Sequence, residues 1–322
     1  MSNDNKFICS VYMEQEAINV YGDEIVLSLL SRGDFIHFIP GWRLDRKKAK
    51  TESKLIFKKN DKTIIKIYSP KKFLAQGRFE DLKRAETIPY LIHYILERER
   101  GEKGKMTIHA AAVSKQGKGI LILGKQGSGK TSISLELCRN HGYSLIGNDL
   151  ILAGFRDGKG SLHGGTKIFQ IRETTLQDYN KDLRKFLKKK AKNEDEWTNR
   201  AAIEPKKIKV KVETEVIPIE AIYYVHLYPP KHFFVTKKVD ILFSKLYLYQ
   251  IFSEYIRSSV IVPLTGEKLN YGCYMPSLDN KKIFDLRTKF IEWITLHHNY
   301  RYIAGSISGI CTYIDKNTQK RD

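Results

Sequence analysis

Residues Gly124-Lys125-Gln126-Gly127-Ser128-Gly129-Lys130-Thr131 match the pattern G-x-x-x-x-G-K-[ST] at every fixed position. The chemistry this spacing allows is the cradling of a polyphosphate. Glycines let a loop turn its backbone N–H groups inward, where any Cβ would obstruct a phosphate. Lys130 is then placed to reach β- and γ-phosphates, and the Thr131 hydroxyl to ligate Mg²⁺. The loop follows an apolar run (Ile120, Leu121, Ile122, Leu123) and opens an amphipathic one (Ile133, Leu135, Leu137). A strand before and a helix after are the context the motif needs, since the helix N-terminus adds its positive end to the same anion. A surface glycine-rich turn is the bland alternative, and it explains none of that context.

Two further features can join this chemistry. Asn148-Asp149 stands at the end of the next strand, one helix later. If that strand runs parallel and adjacent to the one feeding the loop, its C-terminal end lies beside the phosphates. A carboxylate there binds Mg²⁺ or takes the proton of an attacking hydroxyl; the alternative is a polar loop Asp capping a turn. His109 precedes three alanines (Ala110, Ala111, Ala112) on a run that alternates like a strand. A hairpin closing through residues 115–119 places His109 roughly opposite Leu123, at the root of the loop. A lone strand His is otherwise a core or edge residue.

The run Ile108-His109-Ala110-Ala111-Ala112-Val113, the glycine loop and Ile146-Gly147-Asn148-Asp149 together resemble the HPr kinase/phosphorylase superfamily. The resemblance covers residues 105–175 well and the remainder loosely. It implies an α/β P-loop kinase domain of the phosphoenolpyruvate carboxykinase-like type, with a mixed sheet flanked by helices, acting on ATP and Mg²⁺. It also implies proton transfer at His109 and Asp149, and metal held by Thr131, Asp149 and Asn148. The family's E-x-R-G motif falls on Gln170-Ile171-Arg172-Glu173, which gives Arg172 a phosphate-charge role. The departures are informative: Asn148 replaces an acid, Gln170 a glutamate and Glu173 a glycine. The family's basic P-G-R-N segment has no counterpart. The chain therefore looks like a divergent HPr kinase-like protein rather than the bifunctional enzyme.

Two blocks must position these residues: a strand-rich α+β block over 1–103 that ends in a helix, and a catalytic block over 104–322. In the first, strands are expected over 7–11 and 18–21, and a short apolar segment of either type over 24–31. Residues 55–57 and 63–68 read as a hairpin joined through Lys59-Asn60-Asp61. A helix over 79–100 buries one face through Leu82, Ile88, Leu91, Ile92, Ile95 and Leu96, with a break at Pro89. In the second, strands are expected over 107–113, 119–123, 144–146, 150–154, 166–172, 208–212, 219–227 and 232–236. Helices are expected over 132–140, 241–257 and 282–297. A polar, helical, basic run covers 175–199.

Composition bounds the class. The 322 residues carry 42% hydrophobic and 29% charged side chains, close to an ordinary globular chain. No stretch approaches the roughly 20 apolar residues of a membrane span, and Met1 to Lys6 open no signal-peptide pattern. Cys9, Cys138, Cys273 and Cys311 lie far apart, so neither a zinc knot nor a disulfide framework is indicated, and a cytoplasmic setting is expected. The net charge of +20 suggests a polyanion partner. Lys exceeds Arg by more than two to one, which reads better as solvated lysine surface than as base or phosphate recognition. The run containing Lys181, Arg184, Lys185, Lys188, Lys189, Lys190 and Lys192 is a solvated flap or a dock for an acidic acceptor.

These readings converge on an ATP-dependent phosphotransferase acting on a hydroxyl of a peptide, protein or small molecule. The two rivals are a non-catalytic ATP-binding regulatory module and a nucleic-acid-linked NTPase. No RNA-binding motif or zinc finger supports the second, and no membrane partner is expected. The Tyr-rich segment 246–255 reads as core and interface, which admits a homo-oligomer. His297-His298 point to different sides of a helix and lack metal-ligand partners.

Overall fold

The computed structural model describes residues 6–31, 39–62, 64–83, 87–178, 180–187, 200–228, 233–257, 264–265, 270–271, 277–297 and 299–319. Two compact units divide the chain, one of residues 1–107 with 249–288 and one of 108–248 with 289–322. Residues 249–288 thus cluster with the first unit, whereas the sequence reading carried them in the block 104–322.

In the first unit β1 (Phe7–Met13), β2 (Glu16–Gly22), β3 (Trp42–Asp45), β4 (Lys54–Lys59), β5 (Ile64–Ser69) and β6 (Lys72–Gly77) form one sheet in the order β3-β1-β2-β4-β6-β5. The expected hairpin of β4 with β5 does not form. β6 lies between them, parallel to β4 and antiparallel to β5. Phe73 and Ala75 of β6 are buried. The segment over 24–31 resolves as a helix, α1 (Val26–Leu30). The helix expected over 79–100 is two, α2 (Phe79–Lys83) and α3 (Thr87–Glu102). Pro89 sits in the first turn of α3, where its missing N–H costs nothing. Ile88, Leu91, Ile92, Ile95 and Leu96 of α3 are all buried, as their spacing predicts. A short pair, β15 (Leu264–Thr265) and β16 (Asn270–Tyr271), also belongs to this unit.

His93 of α3 is fully buried, and neither ring nitrogen has a hydrogen-bond partner. Its ring packs on Tyr255 at 5.3 Å between centroids. Burial, with the Arg100 charge adding to it, pushes the imidazole down to about 3. An unfolded histidine titrates near 6.5, so below that pH the unfolded chain gains a proton that the native one refuses. Stability should therefore fall by about 1.4 kcal/mol per pH unit between about pH 6.5 and pH 3 on account of this residue. Urea midpoints measured across that range should lose this slope in His93→Phe; an unchanged slope would place the acid sensitivity elsewhere.

The second unit is a mixed sheet flanked by helices. Its strands are β7 (Lys105–Lys115), β8 (Lys118–Leu123), β9 (Ser144–Arg156), β10 (Lys159–Gly165), β13 (Ile217–Leu227), β14 (Phe234–Lys238) and β17 (Tyr300–Gly305), ordered β10-β9-β7-β8-β13-β17-β14. β8, β13 and β17 run parallel, so their C-terminal ends share one rim. β10 also pairs with β13. A separate pair, β11 (Phe169–Arg172) and β12 (Arg200–Ile203), packs beside α4 (Lys130–Asn140). Ile133, Leu137 and Phe169 meet Ile120, Ile122 and Val225 in the core, together with Ile310 and Ile314 of α8 (Ile307–Gln319). The remaining helices are α5 (Glu173–Asp178) in this unit and α6 (Ile241–Ser253) and α7 (Lys281–Leu296), each with residues in both units.

Several expectations are corrected here. The strand read over 166–172 is confined to β11, and its partner β12 went unread. The strand read over 208–212 is a 3-10 turn over Pro205–Ile208, followed by Lys209 at φ +57°, which ends extended pairing apart from the bridge of Leu145 with Val212. β17 and α8 went unread as well. Within the basic run, Lys181, Arg184 and Lys185 lie on a 3-10 helix, Lys181–Phe186. Lys188, Lys189, Lys190 and Lys192 fall outside the described residues, as do His298 and Cys273. Among the described residues no helix is long and apolar enough to cross a membrane.

Candidate active site

The loop 124–131 leaves β8 on the shared C-terminal rim and enters α4. Gly124, Gly127 and Gly129 all have positive φ. At Gly129 (φ +94°) an added Cβ would stand 2.2 Å from the side chain of Leu227, so the loop lies directly on the end of β13. The Leu227 N–H donates to Ser128 O at 3.0 Å and ties the two together. Lys125, Gln126 and Gly127 form an exposed crest, while Ser128 and Lys130 are buried. The Ser128 hydroxyl has no hydrogen-bond partner. Lys130 crosses the loop to donate to Gly124 O (2.9 Å) and Lys125 O (3.1 Å). The first turn of α4 carries no acidic residue, so nothing there opposes an anion.

Asn148-Asp149 lie within β9 rather than at its end, and β9 is not adjacent to the loop strand, so the adjacency condition is not met. β7 stands between β9 and β8. The Gln116-Gly117 turn, with φ +52° and +73°, closes β7 onto β8 and leaves the far edge of β7 to β9. This order inserts His109 between the loop and Asp149. The register pairs Ala111 with Ile122, so His109 lies one step beyond the position opposite Leu123.

His109 Nε2 is 3.4 Å from Asp149 Oδ1, and each side chain keeps over a quarter of its surface exposed. Burial lowers the His109 pKa, the Lys130 charge lowers it further, and the Asp149 carboxylate opposes both. The imidazole is therefore neutral at physiological pH, with one nitrogen able to accept a proton.

Asp149 reaches this position through a bulge. Asn148 N–H donates to Thr166 O, and Thr166 N–H donates to Leu150 O, both at 2.8 Å. The pairing skips Asp149, which takes φ +76° and turns out of the ladder. For a non-glycine residue that conformation carries a cost of about 1 kcal/mol or more.

Asn148 goes the other way and is buried. Its Nδ2 donates to Ile168 O at 3.4 Å. Its Oδ1 lies 3.5 Å from the Ser134 hydroxyl, which is 3.0 Å from Thr131 O. Asn148 thus links β9 to the first turns of α4. Ser134 and Thr166 were not singled out from sequence; a serine one helical turn past Thr131 was the available sign for the first, and nothing local marks the second.

Arg172 lies on the β11–β12 pair, in register opposite Arg200. Burial and the Arg200 charge both lower its pKa. Loop, Lys130, Thr131, His109, Asn148 and Asp149 are brought together by the seven-stranded sheet and α4; Arg172 belongs to a different sheet. Among the described residues no group of three or more His, Cys, Asp or Glu could hold a metal by itself. A metal here would need phosphate oxygens to complete its shell.

No protein-family model matches this chain, and neither does any characterised protein sequence. Among solved structures, the HPr(Ser) kinase/phosphatase from Coxiella burnetii aligns with a TM-score of 0.26 and 16% identity, over 41% of this chain and 72% of that one. Overlap at that level fixes neither fold nor function.

Proposed function

We propose that this chain is an ATP-dependent phosphotransferase that moves the γ-phosphoryl group onto a hydroxyl of a peptide, protein or small molecule. The observation that carries the reading is the His109–Asp149 pair held beside a glycine-rich loop that opens α4 on the rim of parallel strands. The buried, unpartnered Ser128 hydroxyl and an α4 N-terminus without acids suit an anion at the loop. Lys130 trades its loop carbonyls for phosphate oxygens.

In the transfer, the acceptor oxygen forms a bond to Pγ as the bond from Pγ to the ADP oxygen breaks. The hydroxyl proton passes to Asp149, whose carboxylate the neutral His109 ring orients by donating its Nε2–H. Mg²⁺, when bound, offsets phosphate charge; Thr131 and Asp149 are the side chains that would hold it. Asn148, assigned to the metal by sequence position, is better suited by its burial to fixing β9 against α4. Arg172 is assigned to phosphate charge on its sequence position.

One observation favours a second reading, an ATP-binding regulatory module: the residue before Asp149 is uncharged, so the site has one carboxylate where two would serve metal and base separately. Calorimetric titration with MgATP, run beside transfer of labelled γ-phosphate to a panel of hydroxyl acceptors, separates the two. Binding with transfer is expected. Binding without transfer to any acceptor supports the module, and absence of binding rejects both.

A further inference from the structure

We propose that the rings of Tyr228, His226 and Phe233 form the platform on which the base of the nucleotide stacks. This rests on the reading of the 124–131 loop as a phosphate site and adds where the other end of the nucleotide lies. The three C-terminal ends on the shared rim are Leu123 of β8, Leu227 of β13 and Gly305 of β17. The phosphate loop rises from the first. His109 and Asp149 flank it on the β7–β9 side, which is the acceptor's side. A nucleotide with its phosphates at the loop has the β13–β17 side left for its base.

Exposed aromatic rings stand there. Tyr228 is 40% exposed and Phe233 42%. The His226 and Tyr228 rings stack at 4.5 Å with 18° between planes, and Phe233 meets Tyr228 edge-on at 5.2 Å. Leu227 touches Gly129 and bonds Ser128 from the α4 face of β13, and Tyr228 follows it past the strand end, its ring stacked with His226 on the opposite face, so the base reaches the platform over the rim.

The backbone of Gly305 and Ser306 holds both ring positions. Tyr228 N–H donates to Gly305 O at 3.0 Å, and Ser306 N–H donates to Phe233 O at 3.3 Å. An added Cβ at Gly305 (φ +157°) would stand 2.5 Å from Phe233 O, so glycine is what lets the two segments close. Large rings fixed by backbone and left open to solvent are suited to receive a flat partner. Stacking reads ring area rather than base edges, so the platform accepts either purine and favours purines over pyrimidines.

The test uses the full chain with Mg²⁺ present and calorimetric titration with ATP, GTP, CTP and inorganic tripolyphosphate, which has no base. Wild type should bind ATP and GTP alike, and tripolyphosphate about tenfold more weakly. Tyr228→Ala should lose about tenfold for ATP and GTP and nothing for tripolyphosphate, and Tyr228→Phe should keep wild-type values. A thermal melt matching wild type confirms that Tyr228→Ala is folded. Tripolyphosphate binding as tightly as ATP, or Tyr228→Ala leaving ATP affinity unchanged, overturns the platform and spares the loop reading. Equal losses for ATP and tripolyphosphate in Tyr228→Ala also overturn it, since the ring then acts through the loop. No binding of any of the four in wild type removes the loop reading, and the platform with it.

Discussion

The Asp149→Asn protein should bind MgATP nearly as tightly as wild type and transfer phosphate on the order of 10³-fold more slowly, as expected for loss of a positioned base. The substitution keeps size and hydrogen-bonding atoms, and asparagine tolerates positive φ better than most residues, so the bulge at φ +76° should survive. What changes is the charge beside His109. Asp149 raises the His109 pKa against the effects of burial and Lys130, so its removal should move that pKa still further below the usual 6.5. An NMR titration of the His109 ring in both proteins reads this directly. In wild type, protonation of His109 should cost activity only below the ordinary histidine range, because its depressed pKa keeps the ring neutral above it. Wild-type turnover in Asp149→Asn would remove the base from this site.

Lys130→Ala should abolish transfer, with kcat/KM falling by on the order of 10³ or more, because a cation aimed at the developing phosphate charge is lost. Nucleotide affinity should fall as well, since Lys130 serves the bound ground state and the transition state alike. Folding should be affected less. The ammonium holds the loop's own carbonyls, Gly124 O and Lys125 O, and the glycine conformations and the Leu227 tie remain without it. Lys130→Arg should not restore activity: a planar fork cannot take the place of a compact ammonium in so close a loop. Steady-state kinetics beside calorimetric affinity checks both statements. Retained transfer in Lys130→Ala would mean that the phosphates lie elsewhere.

Legibility in the sequence followed the range of the interactions involved. The loop was readable because its glycines, its lysine and the helix it opens all sit within a short window. α3 was readable because its buried positions recur at helical spacing, and the Gln116-Gly117 turn because its residues suit a two-residue hairpin. β6 was missed and β4 paired with the wrong partner, since a parallel strand inserted between two others leaves no local trace. β12 comes directly after the run 175–199 read as a basic helix, and its alternation is only four residues long.

The site shows the same division. That Asp149, His109 and the loop could share one site was an inference from motif order. Their contact depends on β7 lying between β8 and β9, which is set by hydrogen-bond partners distant in sequence. The opposite fates of Asn148 and Asp149, one buried and one turned out, depend on Thr166 bonding to both neighbours of Asp149 and skipping it. Nothing within several residues of Asn148 encodes that. By itself the sequence determined the glycine-rich loop, its glycine conformations and the helix behind it, because these are local. Only the tertiary structure decided which groups face the loop, that Arg172 stands on another sheet, and that aromatic rings end the rim beside it, because strand order and register are properties of the whole sheet.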